Sequence, residues 1–582
     1  MRKGVLLLLI SLYLVSCASL AATKKASRET SETEEKKTGE TGETAVEAPS
    51  SANERSYLNY ILGYQAEMQG RWDEALRYYE EASRLDPASP YLKVQIGRIL
   101  LRTGKVKAAT EKAEEVIRDH PDYLPALRLL GQLYNGQKKI ADAIRIYEKI
   151  ISIDPDDPQA HLFLGVLYAS DKRYPEAVEV LEKFLKKRPD DLMALYYLGS
   201  VYFDMKDLDK SGEYFRKALE LKPDFDAALY RLGLIHEVRG DYKAAAENYK
   251  KAIEINPFNF QARDRLSRIY IKENRLKEAI EELEKISSRF PRNAEIHKRL
   301  GLLYFDGEEY EKAIEQFRLV IEAQPDDLAV RYYLSVALAT LKKYDAAIEE
   351  LKAILELDPE NIQAYLNLAY VYSDTGRYDE AVKIYDKLIT MDAKPEYYVY
   401  KSSALLKLDD TRAAEKTLKE AIERFGDNDE LYFNLAVVYE KEKRFDEMVK
   451  FLKKTLSLNP DHADALNFLG YSYADKGIKL DEALSLIQKA LSLMPDNGYI
   501  VDSLGWVYYK LGRYEEALKE LRRAVGLVDD DPVIYEHLGD VLKALGDTAG
   551  AADAYRKAIL HSAKEKGLKE RVEEKLQKLT GQ

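Results

Sequence analysis

The sequence predicts an all-α fold built as an array of helical hairpins, and three observations carry that prediction. The first is a 34-residue unit whose clearest copy runs from Asp226 to Asn259. In it Leu229, Leu232, Gly233 and His236 fall at helical spacing, Gly240-Asp241 interrupts the pattern, and Ala245, Tyr249, Ala252 and Ile253 resume it until Asn256-Pro257 stops it. The second is a ladder at the same step, Pro87, Pro121, Pro155, Pro189, Pro223, Pro257, Pro291, Pro325 and Pro359, which takes nine of the eighteen prolines. At an average proline usage of about 5%, chance does not build such a ladder. The third is a register of small residues: Ala75, Ala109, Ala143, Ala177, Ala245, Ala279, Ala313, Ala347 and Ala381 at one helix crossing, and Gly63, Gly97, Gly131, Gly165, Gly199, Gly233 and Gly301 at the other. Each hairpin carries an apolar stripe wider than its two helices can cover for one another, so the hairpins must stack.

The order Leu198-Gly199-Tyr202, then Phe215, Ala218 and Pro223, resembles the tetratricopeptide repeat. Fifteen copies lie between Ser56 and about Ser562, so the resemblance covers roughly 507 of 582 residues. It implies a right-handed α-solenoid of about 15 helix-turn-helix repeats whose inner face, formed chiefly by the first helix of each repeat, holds a ligand. Fold alone does not assign a task.

Taken in order, the chain opens with Arg2-Lys3, an apolar run from Gly4 to Val15, and Leu14-Val15-Ser16-Cys17. The run is too short to span a bilayer, and with its basic flank it reads as a signal peptide over residues 1–16. Leu-Val-Ser-Cys resembles the bacterial lipobox, which implies acylation of Cys17, the only cysteine. The other reading is an ordinary secretory peptide cleaved near Ala18 or Ala22. Ala18, rather than aspartate, follows Cys17 and favours the periplasmic face of the outer membrane. Residues 17–55 complete the anchor and a tether: Val46 is the only branched aliphatic between Ala22 and Arg55, too little to offset ordering entropy.

Repeats 1–10 occupy residues 56–394, with proline opening several first helices, as at Pro90, Pro125 and Pro158. The acidic pairs after Pro155, Pro189 and Pro325 recur at the repeat turn, where helix capping explains them better than catalysis or calcium. The register loosens over residues 395–462, repeats 11 and 12, where Lys401-Ser402 replaces Leu-Gly and Met448 replaces alanine. That stretch is either a weaker junction or plain repeat degeneracy. Repeats 13–15 fill residues 463–562, after one inserted residue near Gly477. Residues 563–582 are expected to form a capping helix, from Ala563 to Leu579. The run from Asn467 to Asp540 resembles bacterial repeat lipoproteins, one group of which serves as adaptor for a periplasmic C-terminal processing protease.

Anchor, repeats and cap leave no room for a catalytic domain, and no HExxH, CxxC, P-loop, GxGxxG or GxSxG motif occurs, so no catalytic residue, cofactor or metal is expected. The seven histidines lie in different repeats, with His161 and His297 at packing positions. Removing residues 1–16 takes Arg2 and Lys3 away and moves the formal charge from −12 to −14, unsuited to nucleic acid. Nor is a small-molecule substrate expected.

Binding is therefore sought on the first-helix face. Arg231, Arg265 and Arg299 share one register position in successive repeats, with Arg268, Lys272 and Lys298 nearby. Such a row suits carboxylates, and Asp264 or solvent competes for it. Tyr196, Phe203, Tyr230, Phe305, Tyr332, Phe433, Trp506 and Tyr509 form a second candidate set of partner anchors, Trp506 foremost, whereas Trp72 reads as structural. Two functions fit: a lipid-anchored periplasmic scaffold or adaptor binding a protein or peptide, and a structural subunit of a polysaccharide-export, secretion or pilus-assembly complex.

Overall fold

The computed structural model describes residues 51–565 and 567–581, so the signal segment, Cys17 and most of the tether lie outside the described residues. Among the described residues the fold is an all-α repeat solenoid of fifteen hairpins and one closing helix, in two compact units that meet in sequence at Arg289 and Phe290.

The first unit holds seven hairpins. They are α1 (Ala52–Met68) with α2 (Trp72–Leu85), α3 (Pro90–Arg102) with α4 (Val106–Asp119), α5 (Leu124–Gly136) with α6 (Ile140–Ile153), and α7 (Pro158–Ser170) with α8 (Tyr174–Lys187). There follow α9 (Leu192–Asp204) with α10 (Leu208–Leu221), α11 (Asp226–Val238) with α12 (Tyr242–Ile255), and α13 (Phe260–Lys272) with α14 (Leu276–Arg289). The second unit holds eight. They begin with α15 (Ala294–Asp306) and α16 (Tyr310–Ala323), α17 (Leu328–Thr340) and α18 (Tyr344–Leu357), α19 (Ile362–Asp374) and α20 (Tyr378–Met391), and α21 (Pro395–Lys407) and α22 (Thr411–Phe425). They continue with α23 (Asp429–Lys441) and α24 (Phe445–Leu458), α25 (Ala463–Lys476) and α26 (Leu480–Leu493), α27 (Gly498–Lys510) and α28 (Tyr514–Leu527), and α29 (Pro532–Ala544) and α30 (Thr548–Leu560), before α31 (Leu568–Thr580).

Local chemistry sets these ends. The second carboxylate of each acidic pair is the N-cap of the next first helix: Asp157 accepts from the Ala160 amide at 3.0 Å, Asp191 from Ala194 at 2.9 Å and Asp327 from Val330 at 3.1 Å. Within a hairpin, the turn places one residue at positive φ. Glycine takes that place at Gly240 (φ 79°), but Lys172 (φ 62°) and Lys206 (φ 69°) hold it in other repeats at a steric cost. The inserted residue of the thirteenth repeat gives its turn two left-handed residues, Gly477 (φ 68°) and Lys479 (φ 48°).

The small-residue register is where the helices of a hairpin cross. All nine alanines of that ladder are fully buried. A Cβ on Gly233 would stand 2.4 Å from a ring carbon of Tyr249, so only hydrogen fits between α11 and α12. Successive first helices also pack closely, as α3 with α5, α7 with α9 and α25 with α27, while successive second helices do not pack as closely. Within each unit the first helices therefore line the tighter, inner side.

Two boundaries differ from the sequence expectation. The first helix starts at Ala52 rather than Ser56, because Ser51 and Glu54 form a reciprocal capping box (3.2 and 3.0 Å) inside the stretch read as tether. The closing helix starts at Leu568 rather than Ala563, because Gly567 (φ 78°) separates it from a short 3₁₀ turn at Ser562–Lys564. In the degenerate repeats, residues 395–462, the core runs without a break from Tyr398 through Leu431 and Leu452 to Trp506, with Met448 buried where other repeats carry alanine.

Candidate functional site

In the first unit the structure gathers Tyr196 and Phe203 of α9 with Tyr230 and Arg231 of α11 on the inner face. Tyr196 is buried against Phe215 and Phe225 (ring centroids 5.6 and 5.3 Å), and its hydroxyl accepts from Arg231 Nε at 3.4 Å. The Arg231 guanidinium also stands 5.9 Å from the Phe203 ring. Burial raises the pKa of the neighbouring Asp204 carboxyl, and Arg231 offsets part of the rise. Burial likewise raises the Tyr230 phenol, against the pull of Arg265.

Most of the proposed cation row is already engaged within the chain. Arg265 pairs with Glu237 of α11 at 3.0 Å, Arg268 with Asp264 one turn earlier at 3.1 Å, and Lys272 lies 3.7 Å from the Tyr242 ring centroid. In the second unit Lys298 reaches Asp327 at 2.6 Å, while Arg299 is half-buried on α15. Burial would raise the Asp327 carboxyl, but Lys298 and the amides it caps hold it below the usual range. Arg265–Glu237 and Lys298–Asp327 each neutralise a cation by tying one repeat to the next, and Arg268–Asp264 does so within α13.

The remaining aromatic candidates divide among separate clusters of the second unit. Phe305 packs edge-on against Tyr310 and Tyr333 (5.4 and 5.3 Å), and Tyr332 lies 6.0 Å from Tyr333. Phe433 covers His462 at 4.8 Å. Trp506, the foremost sequence candidate, is only 7% exposed, stacked on His537 (4.0 Å) and Tyr509 (5.0 Å). Its ring is committed to the core, and so is His537, whose Nδ1 lies 2.9 Å from Asp502. His161 contacts the Asp157 carbonyl (2.8 Å), and His297 contacts Gln316 and the Pro291 carbonyl (2.8 and 3.0 Å). Trp72 lies under the Arg102 guanidinium at 4.4 Å. Cys17 lies outside the described residues. Among the described residues no cluster of three metal-ligating side chains forms, and no helix is long and apolar enough to cross a membrane.

One open cleft involves residues the sequence reading missed. Between α17 and α19 lies a cleft of about 190 Å³, lined by Val336, Ala339 and Thr340 on one side and Asn367, Tyr370 and Asp374 on the other. Ala339 lines it with a methyl at the register position that Phe305 holds one repeat earlier. Asn367 accepts from Gln363 (3.4 Å), but its buried Nδ2 has no acceptor. Tyr370 is 64% exposed beside it, and Asp374 at the far end accepts from the Tyr344 hydroxyl. An amide donor lacking a partner beside an exposed ring can take a backbone carbonyl and an adjacent side chain.

Tetratricopeptide repeat models match residues 66–303, 306–399, 405–470 and 505–560. The chain belongs to the tetratricopeptide repeat family. Among curated proteins, this repeat chain is 32% identical over 78 residues to the human protein O-mannosyl-transferase TMTC1, covering 13% of this chain and 9% of that protein. The chain thus spans about a tenth of that relative's length, 9%, and takes no activity from it. Similar solved structures include the Cut9-Hcn1 hetero-tetramer of the APC/C (16% identity, TM-score 0.36, 79% of this chain and 96% of that one). MamA is 26% identical, with a TM-score of 0.26, over 28% of this chain and 97% of its own. A repeat protein from Parabacteroides merdae is 20% identical, with a TM-score of 0.28, over 42% and 97%.

Proposed function

We propose that this repeat chain is an interaction scaffold, held at the periplasmic face of the outer membrane by a lipid on Cys17, that binds an extended segment of a protein partner on its first-helix face and recruits it as an adaptor. The observation that carries the binding step is the cleft between α17 and α19, where the Asn367 amide lacks an acceptor and Tyr370 is exposed. The extended backbone of a peptide supplies carbonyl acceptors at regular intervals, and the Tyr370 face supplies apolar contact at low entropic cost. The engaged arginines make a polyacidic ligand a poor fit, because seating it would require breaking Arg265–Glu237 and Lys298–Asp327. Anchoring is supported by Leu14-Val15-Ser16-Cys17 behind a basic-flanked apolar run, and a partner such as a periplasmic protease or envelope enzyme by the likeness of residues 467–540 to adaptor lipoproteins.

A photoreactive phenylalanine analogue at position 370 of the full chain, expressed in a two-membrane bacterium, tests the binding step. Protein adducts are expected from position 370 and not from the outward-facing Lys352 of α18. Equal labelling at both positions contradicts the reading. Labelled palmitate that still enters a Cys17→Ser chain contradicts the anchor.

A further inference from the structure

The first unit carries a counterpart of the α17–α19 cleft in the same register, five repeats earlier. A hollow of about 20 Å³ lies between α7 and α9. Its walls repeat those of the larger cleft in kind: Val166 for Val336, Ala169 for Ala339, Ser170 for Thr340, Val201 for Val371 and Asp204 for Asp374. Repetition of the fold alone does not produce this match. In the other eight of repeats 1–10 the place of Ala169 and Ala339 is held by Glu67, Leu101, Asn135, Phe203, Glu237, Ile271, Phe305 and Ser373.

Two differences bear on what the hollow can hold. Tyr197 stands where the larger cleft has Asn367, and Ser200 where it has the exposed Tyr370. The space admits one water-sized group, such as a methyl or a hydroxyl. Serine and aspartate supply it with acceptors. The Ser170 and Ser200 hydroxyls donate to the Val166 and Tyr196 carbonyls (2.8 and 2.9 Å), which leaves their oxygens able to accept. Asp374 accepts from the Tyr344 hydroxyl, and Tyr174 holds the register place of Tyr344 in the first unit. Asp204 nevertheless accepts no hydrogen bond from the described residues; Arg231 and Lys206 act on its carboxylate only from a distance. It stands at the exposed end of α9, open to a donor from outside.

We propose that the α7–α9 cleft is a second peptide-binding site, which takes an extended segment by one alanine or serine side chain and by a main-chain N–H donated to Asp204. The proposal rests on the reading of the α17–α19 cleft as a peptide site. An extended chain presents N–H groups beside side chains that alternate in direction, so one small side chain can enter while its neighbour's amide meets the rim. A larger side chain has no room, and an acidic one would face Asp204. Each chain then engages two partner segments, the roomier cleft dominating selection on the unaltered protein.

The test uses peptides selected from a random library on the full chain carrying Tyr370→Ala, which disables the roomier cleft. They should carry alanine or serine at one fixed position, and lose about tenfold or more in affinity to Ala169→Phe and to Asp204→Ala. Ala169→Phe introduces the ring that Phe203 and Phe305 carry at the same register position, and Asp204 is exposed, so helix content should stay unchanged in both. A library that yields no binder overturns the proposal, as do peptides that bind either substituted chain undiminished or show no preference for a small residue. The α17–α19 cleft is tested apart from this, by peptides selected on the Ala169→Phe chain and lost with Tyr370→Ala.

Discussion

Adding a single methyl group at two glycines should have opposite effects. Gly233 lies in the middle of α11 and Gly526 near the end of α28; both have helical backbones, so alanine at either site gains about 0.5–1 kcal/mol from reduced unfolded-chain freedom. At Gly526 nothing lies within 4 Å of the new Cβ, and that gain should be realised in full. At Gly233 the Cβ would sit 2.4 Å from Tyr249, more than 1 Å inside a normal carbon contact of about 3.5–4 Å. The ring cannot swing away, because Tyr249 is fully buried and its hydroxyl donates to Glu237 at 2.6 Å. Overpacking of this kind costs about 1–3 kcal/mol, so Gly233→Ala should be net destabilising by about 0.5–2 kcal/mol. Native-state hydrogen exchange of the full chain reads this locally: amides of α11 and α12 should exchange faster in Gly233→Ala, and those of α28 slower in Gly526→Ala. Equal stabilisation by both would refute the close crossing on which the hairpins are built.

Other outcomes follow from the same contacts. Glu536, 3% exposed on α29, is bonded by Arg571 (2.9 Å) and Lys575 (2.7 Å) of α31, and Lys575 also reaches Asp540 (2.6 Å). Burial would raise the Glu536 carboxyl, but the two cations hold it below its ordinary value. A lowered folded pKa contributes stability above the unfolded value of about 4.3 that is lost as pH falls through the folded one. Protection of the α31 amides against hydrogen exchange, relative to the unfolded-chain rate at the same pH, should therefore be high at neutral pH and fall below about pH 4.3, with Glu536→Gln losing about 1.5–3 kcal/mol of protection at neutral pH and most of the acid dependence. Lys206→Gly relieves a side chain from φ 69° and should stabilise its hairpin by about 0.5–1 kcal/mol, seen as a higher urea midpoint; no change would mean the turn is unstrained. Arg265→Ala leaves Glu237 without its cation, and should loosen α13 against α11 in hydrogen exchange without affecting binding at Tyr370.

The repeat architecture was legible because a 34-residue period is written many times over, so Pro257, Ala245 and Gly233 each had counterparts to confirm their role. The start of the first helix is also written in the sequence, in Ser51 and Glu54, but Ala52 and Asn53 between them carry no large apolar side chain to mark it as part of the repeat. The candidate site was harder. Periodicity tells which positions line the inner face, but it does not tell which carboxylate neutralises a given arginine. Glu237 stands 28 residues before Arg265 and Asp327 stands 29 after Lys298, across a repeat boundary in both cases. Trp506 shows the same limit, since an inner-face register position says nothing of the His537 ring stacked on it from the next repeat. The cleft beside Asn367 was written as something missing: an alanine where the previous repeat carries phenylalanine, next to a polar amide in an otherwise apolar helix face.

The most direct test of the account is affinity for peptides. Extended peptides selected from a random library for binding to the full chain should lose about tenfold or more in affinity to Asn367→Ala and to Tyr370→Ala, the worth of one buried hydrogen bond or one aromatic contact. They should bind the Arg231→Ala chain nearly as before. Selected peptides whose affinity survives both cleft substitutions and falls with Arg231→Ala would place the binding surface elsewhere and contradict the account.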